Sequence, residues 1–302
     1  MPGVVDNIHV GVAGWSYPDW NGIVYTGRIK DKLRYVAGFV DMVEINNTFY
    51  RPPEARNAAA WVKSTEDLPD FYFTAKLHQE VTHEGVILDA MVDAFHRGLE
   101  PMLSAGRLKH LLAQFRYDFA DRGETRDHLR RIKERLGDLG EMVLELRHVS
   151  WQEPEALEFL SGLGVTVANL DYPIAKNSFN LQECRVGTDG YLRLHGRNAA
   201  AWFDKDAGRD QTYNYLYSEK EVSGIRDRAL SLAKTYRALT IVANNHYEGK
   251  QFATAIMLKA MLEGRKLKGP PGVVKRYPEL ARYAEPEPVA AAKETHETGM
   301  LF

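Results

Sequence analysis

The stretch MVLELRHVSWQEPEALEFLSGLGVTVANL, residues 142–170, reads as an apolar strand over 142–147, a helix over 154–162 and a second apolar strand over 165–170. The same unit recurs outward in both directions. Short β-segments are predicted at 8–14, 42–46, 71–76, 111–115, 142–147, 165–170, 191–195 and 240–244, and helices at 31–39, 54–65, 89–105, 124–136, 154–162, 219–236 and 251–262. The step from the sixth strand to the seventh, 171–190, shows no convincing helix. Alternating strands and helices imply a parallel sheet, and eight strands predict closure into a single TIM-type (β/α)8 barrel of the α/β class, with one helix missing or irregular, in preference to an open doubly wound sheet. The barrel is expected to occupy 1–272. The run Lys266-Leu-Lys-Gly-Pro-Pro-Gly272 cannot continue a helix, and 284–298 is rich in Ala, Glu and Pro, so 273–302 is expected to be a C-terminal extension with a flexible last part.

At 302 residues with 44% hydrophobic content the chain can bury a sizeable core. Lys and Arg total 39 against 41 Asp and Glu, so no overall positive field favours nucleic acid, and any anion site must be local. The single Cys184 excludes an intramolecular disulfide and a multi-cysteine zinc site. Neither a leader nor a membrane span is visible, and the cytoplasm is the expected compartment. The glycine-rich dinucleotide fingerprint is absent after the first strand, which leaves a nucleotide cofactor without a motif. Oligomeric state is open.

Polar residues gather at the strand ends. Taking every second residue, the predicted strands place Glu44 and Asn46, Lys76, Gln114, Glu145 and Arg147, Asn169 and Asp171, Arg193 and His195, and Asn244 and His246 on one face. Buried charge without a partner is costly, so polar placement at equivalent ends points to a ligand or catalytic mouth. In a TIM-type barrel that mouth is the C-terminal face of the strands.

The motifs at these ends are Gly14-Trp-Ser-Tyr-Pro-Asp-Trp20, Val43-Glu-Ile-Asn-Asn-Thr-Phe-Tyr-Arg-Pro-Pro53, Thr82-His83, Glu145-Leu-Arg-His-Val-Ser-Trp151, Tyr191-Leu-Arg-Leu-His-Gly-Arg-Asn198 and Asn244-Asn-His-Tyr-Glu-Gly249. Together, from Val10 to Leu262, they resemble the YecE-like family, also called domain of unknown function seventy-two. The resemblance implies a TIM-type barrel and no assigned reaction. The chain departs from the family pattern at Arg116-Tyr117, where prolines are usual, and at Thr254, where asparagine is common.

Arg51, Arg147, Arg193 and Arg197 are expected to ring the mouth, and the planar guanidinium suits bidentate recognition of carboxylate or phosphate. The competing reading is that Arg147 and Arg193 neutralise Glu44 and Glu145 within the barrel. Glu44, Glu145, His195 and Asp171 are the candidate catalytic groups, with Glu145 and His195 as the acid/base pair. Trp15, Tyr17, Asn46, Tyr50, Arg51, Lys76, Arg147, Arg193, Arg197, Asn244 and Asn245 are the candidate substrate-binding residues. His83, His148, His195 and His246 are candidate ligands for a divalent metal, the one cofactor left open, though no pair has the local spacing of a dedicated metal motif.

Aromatic residues beside arginine suit a ring-bearing, nucleotide-like molecule. Trp20 and Trp151 read more simply as packing anchors, and the segment holding Tyr213, Tyr215 and Tyr217 as a lid. Neither Ser16 nor Ser150 lies in a nucleophile elbow. The expected function is an enzyme acting on a small anionic, phosphorylated or nucleotide-like substrate, with hydrolysis or phosphodiester cleavage favoured. The alternative is a non-catalytic protein that binds a nucleotide or single-stranded nucleic acid, and a third reading makes the charged lumen purely structural.

Overall fold

The computed structural model describes residues 4–287. Among them nine strands form one parallel sheet: β1 Ile8–Ala13, β2 Met42–Ile45, β3 Tyr72–Lys76, β4 Leu108–Gln114, β5 Glu141–Glu145, β6 Thr166–Val167, β7 Asn169–Asp171, β8 Gly190–Leu194 and β9 Leu239–Ala243. Their order is β6-β5-β4-β3-β2-β1-β9-β8-β7. The two ends of that order are halves of one segment, 166–171, parted at Ala168, so the sheet curls round and meets itself. In the described ladders β6 pairs with β5 and β7 with β8. The result is a nearly closed barrel with an unsealed seam, of the TIM type that the alternation predicts. The absent helix is also where the sequence places it, since 172–189 contains none.

The helices that return the chain between parallel strands are α1 Lys32–Ala37, α2 Ala55–Ser64, α3 Gln79–Thr82, α4 Asp89–Ser104, α5 Gly123–Leu136, α6 Pro154–Leu163, α7 Ala199–Trp202, α8 Arg209–Thr212, α9 Glu219–Ala233, α10 Lys250–Glu263 and α11 Pro271–Arg276. Strand side chains alternate between two faces. One face packs under the helices and forms the larger core, with Val10, Val43, Phe73, Leu111, Leu144 and Ile241. The other fills the lumen with Ala13, Met42, Tyr72, Leu112, Val143, Tyr191 and Val242. Above this apolar plug the same inward positions turn polar, which is why charge collects at the C-terminal end.

The sixth strand breaks the expected alternation. Ala168 and Leu170 join the lumen cluster, so Asn169 and Asp171 face away from it. Asn169 spends its amide on the backbone of Cys184, donating to the carbonyl at 3.0 Å and accepting from the N–H at 2.9 Å. The expectation that Asn169 and Asp171 share the interior with Glu44 is therefore corrected: a one-residue shift of phase moves a whole strand's side chains to the other face, and the helix-free connection after it supplies the partner for the outward amide.

Residues beyond α10 fold back on the barrel. Strand β10, Leu267–Gly269, pairs with β11, Ala284–Pro286, and Val273, Leu280 and Ala284 are buried. The Tyr277 hydroxyl donates to the Glu248 carbonyl at 2.6 Å, fixing this segment to the loop after β9. Residues 288–302, which hold the predicted flexible end, lie outside the described residues. No described helix is long and apolar enough to cross a membrane.

Loop and helix positions at the mouth depend on one close approach. A Cβ at Gly98 in α4 would lie 2.2 Å from the carbonyl oxygen of Pro53, at the end of the loop that carries Tyr50 from β2. Gly98→Ala must push that loop away, and overpacking of this kind costs about 1–3 kcal/mol. In α9, Gly224 has open space around the equivalent position. Gly224→Ala is expected to stabilise by about 0.5–1 kcal/mol through helix propensity alone. Urea denaturation of the two variants checks the contrast.

Candidate functional site

Arg193, projecting inward from β8, lies between two glutamates. Its Nε and Nη2 donate to Glu44 Oε2 and Oε1 at 3.1 and 2.6 Å, and its Nη1 donates to Glu145 Oε2. All three side chains are fully buried. Arg147 closes on the far oxygen of Glu145 with Nε at 2.8 Å and Nη2 at 2.5 Å, while the Tyr191 hydroxyl donates to Glu44 Oε2 at 3.0 Å. Gln114 Oε1 accepts from both Arg193 Nη1 and Lys76 Nζ at 3.0 Å. The lattice thus joins β2, β3, β4, β5 and β8.

Its charges do not cancel. Glu44 and Glu145 face Lys76, Arg147 and Arg193, which leaves one positive charge in excess when Lys76 is protonated. Burial, and then the neighbouring Arg193, lower the Lys76 amine to about 8. Burial works against ionised Glu145, but Arg193, Arg147 and His195 outweigh it and hold the carboxyl well below its ordinary range. Asn244 Nδ2 donates to His195 Nδ1 at 3.1 Å, which puts the ring proton on Nε2, 3.4 Å from Glu145 Oε1. Burial lowers the His195 imidazole to about 4.

Over this lattice opens a cavity of about 520 Å³ lined by Trp15, Tyr17, Asn46, Tyr50, Lys76 and Asn244 from the strand ends, by Asn57 and Trp61 of α2, and by Arg209, Tyr213 and His246. Gly14, at φ +69°, turns the chain so that the Tyr17 hydroxyl reaches the Ala13 carbonyl at 2.7 Å, and a Cβ there would meet that hydroxyl. Tyr17 then stacks on His246, with centroids 4.6 Å apart and planes 7° apart, and Trp15 meets Trp61 edge-on at 5.2 Å. Asn46 Oδ1 and His246 Nδ1 are buried without a hydrogen-bond partner among the described residues. Burial lowers the His246 imidazole to about 4. The cavity offers aromatic walls and one amine.

The expected residues therefore fall into separate groups. Trp15, Tyr17, Asn46, Tyr50, Lys76 and Asn244 face the cavity. Glu44, Glu145, Arg193 and His195 lie beneath it, fully buried, and Arg147 is committed to Glu145. Glu145 and His195, expected as the acid/base pair, do lie together, 3.4 Å apart and fully buried beneath the cavity, with the carboxylate held by the two guanidiniums of Arg147 and Arg193. Asp171 stands apart, gripped by Arg197 at 2.9 and 2.7 Å and by the Tyr217 hydroxyl at 2.7 Å. Arg51 is exposed and does not line the cavity. The ring of four arginines is not assembled, because Arg147, Arg193 and Arg197 each spend the fork on an internal carboxylate.

Asn245 is buried and structural, donating to the Tyr215 carbonyl at 2.8 Å and to Thr254 Oγ1 at 2.9 Å; the threonine that departs from the family pattern serves as its acceptor. Among the metal candidates, His83 contacts Thr82 Oγ1 at 3.0 Å, and His148 Nδ1 accepts from the Ser150 N–H at 3.2 Å, capping a short 3-10 turn. Among the described residues, His83, His148, His195 and His246 do not join a cluster of three potential metal ligands. Trp20 and Trp151 are the buried anchors expected, bonded to the carbonyls of His246 and Phe119 at 2.9 and 2.6 Å.

Asn57, Trp61 and Arg209 escaped the reading of strand ends because they sit on helices. The spacing of Asn57 and Trp61, four apart on one face of α2, is the signal that was present. Arg209 lies in the segment expected to be a lid, with its guanidinium 5.9 Å from the Tyr17 ring centre.

Removing Arg193 would leave buried Glu44 without a cation and buried Glu145 with Arg147 alone. Arg193→Met is expected to lose about 3–5 kcal/mol, while the combined change with Glu44→Gln and Glu145→Gln recovers much of it, since the unpaired charges go with their partner. Chemical denaturation of the single and triple variants measures both.

The family model described as "Protein of unknown function DUF72" matches residues 9–276. The UPF0759 protein YunF of Bacillus subtilis (strain 168) is 29% identical over 259 residues, covering 80% of this chain and 90% of that protein. A DUF72 family protein of Thermotoga maritima MSB8 has a solved structure 32% identical in sequence, covering 85% of this chain and 99% of its own, with a TM-score of 0.73. A DUF72 family protein of Enterococcus faecalis V583, 23% identical, covers 85% of this chain and 95% of its own at a TM-score of 0.75, and shares the fold. With nearly the whole barrel matched, the chain belongs to the DUF72 family, whose function is unknown.

Proposed function

We propose that the protein is an enzyme that binds a small anionic, ring-bearing molecule in the mouth cavity and transfers a proton to it from Lys76. The observation that carries this reading is the surplus of positive charge: three cations, buried Lys76 and Arg193 and half-buried Arg147, meet two buried carboxylates, and Lys76 is the one of them that lines the cavity. An anionic group beside Lys76 would neutralise the lattice and raise the amine's proton affinity on binding. Arg209 at the rim would meet the same charge, and the walls formed by Tyr17, Trp15 and Trp61 suit a flat ring.

Hydrolysis is the favoured reaction class, with Lys76 as the proton donor in place of the Glu145 and His195 pair. An amine near 8 holds its proton at neutral pH yet releases it more readily than an ordinary lysine, as a general acid to a leaving oxygen requires. Glu44, Glu145, Arg193 and His195 then fix the amine's position and electrostatic setting, in the role of positioning residues.

Thermal shift with a panel of mononucleotides and sugar phosphates tests the binding half. At least one compound is expected to stabilise the protein, with the effect lost in Lys76→Met, reduced in Arg209→Ala and weakening as the pH rises through about 8. A ligand indifferent to both substitutions, or binding of uncharged compounds alone, contradicts the reading. For turnover of a bound compound, Lys76→Arg keeps the charge without a usable proton, so it should retain affinity and lose about 100-fold or more in rate. Binding without turnover in the unaltered protein favours instead the non-catalytic nucleotide-binding alternative.

A further inference from the structure

At the opposite end of the barrel, away from the mouth, a second set of titratable groups has no part in the proposed reaction. His110 projects into the lumen from β4, next to Glu141, its register partner at the start of β5, and Asp189 immediately precedes β8. One ligand atom from each lies within 4.8 Å of the others. His110 is 1% exposed, and both of its ring nitrogens lack a hydrogen-bond partner among the described residues. Leaving both nitrogens of a buried imidazole unsatisfied is costly, and such groups ordinarily have a partner.

We propose that His110, Glu141 and Asp189 form a site for one divalent transition-metal ion, such as Zn2+, that ties the barrel together across its seam. One imidazole nitrogen and two carboxylate oxygens are three protein ligands of the types that zinc and its neighbours accept. Bringing donors from 4.8 Å to the separations of a single coordination sphere asks for side-chain movements of about an ångström.

The surrounding bonds permit that movement. Glu141 Oε1 accepts from the Thr166 hydroxyl and from the Asp189 N–H, which leaves Oε2 to turn toward the ion. Asp189 is paired with Arg237 at 2.9 and 2.8 Å, but the arginine side chain is 72% exposed and can yield one oxygen at little cost. Position supplies the purpose. Glu141 and Thr166 belong to the two strands on one side of the seam and Asp189 leads directly into the strand β8 on the other, so the ion would bridge β5 and the start of β8 where the split sixth strand joins them incompletely.

The test is titration of chelator-treated, full-length protein with Zn2+ alone and with Co2+ alone, followed by calorimetry, the cobalt visible spectrum and the melting temperature. One equivalent is expected to bind and to raise the melting temperature. His110→Phe, which keeps an aromatic ring in the lumen, and Asp189→Asn should each weaken affinity at least tenfold, whereas His246→Ala at the mouth should leave it unchanged. If His110→Phe does not fold, Asp189→Asn at the barrel end decides the matter. Absence of saturable binding in the unaltered protein, affinity retained in Asp189→Asn, or loss of binding in His246→Ala overturns the proposal.

Discussion

The double grip of Arg193 on Glu44 and Glu145 is the interaction on which the upper half of this barrel depends. A parallel barrel closes only if its lumen is filled, and here the apolar layer of Met42, Leu112, Val143 and Val242 gives way to charge toward the C-terminal ends of the strands. Two carboxylates with no access to water would be untenable alone. One guanidinium, reaching from β8 to β2 and β5, makes them tenable and sets the spacing of three strands at once. Gln114 and Tyr191 complete the arrangement by taking up the remaining hydrogen bonds.

From that constraint follows the division of labour at the mouth. The groups with the most reactive names, two glutamates and a histidine, are the ones most firmly held. Lys76 belongs to the same lattice but ends in the cavity, bonded to Gln114 and lying over the Phe49 ring at 4.5 Å. Its environment destabilises its charge without cancelling it. Under the proposed function the lattice is the electrostatic support of the Lys76 amine, and the aromatic walls are the shape that selects what approaches it.

The fold was legible because the strand–helix alternation is regular and because period-two patterning marks inward positions; the helix-free interval after the sixth strand could be read for the same reason. The mouth was partly legible for the same reason: Lys76, Asn46 and Asn244 follow from strand phase alone. Asp171 did not, since the phase slips at Ala168 and Leu170, where small and apolar residues can face either way. The pairing of Arg147 and Arg193 with glutamates was one of two readings open to the sequence, and only distance could choose between them. Trp61 and Arg209 were hidden because a rule about strand ends says nothing of helices that lean over the mouth. The cluster of His110, Glu141 and Asp189 lies at strand beginnings, opposite the C-terminal face where a TIM-type barrel carries its active site.

The proposed role of Lys76 depends most directly on the protonation state of its amine. NMR titration of isotope-labelled lysine side chains, with the Lys76 resonance assigned by its loss in Lys76→Arg, measures that state in the folded protein. A midpoint near 8, moving upward when an anion occupies the cavity, is the predicted result. An ordinary midpoint near 10.5, unmoved by any anionic ligand that binds, would contradict the central claim that the buried lattice tunes this amine for its work.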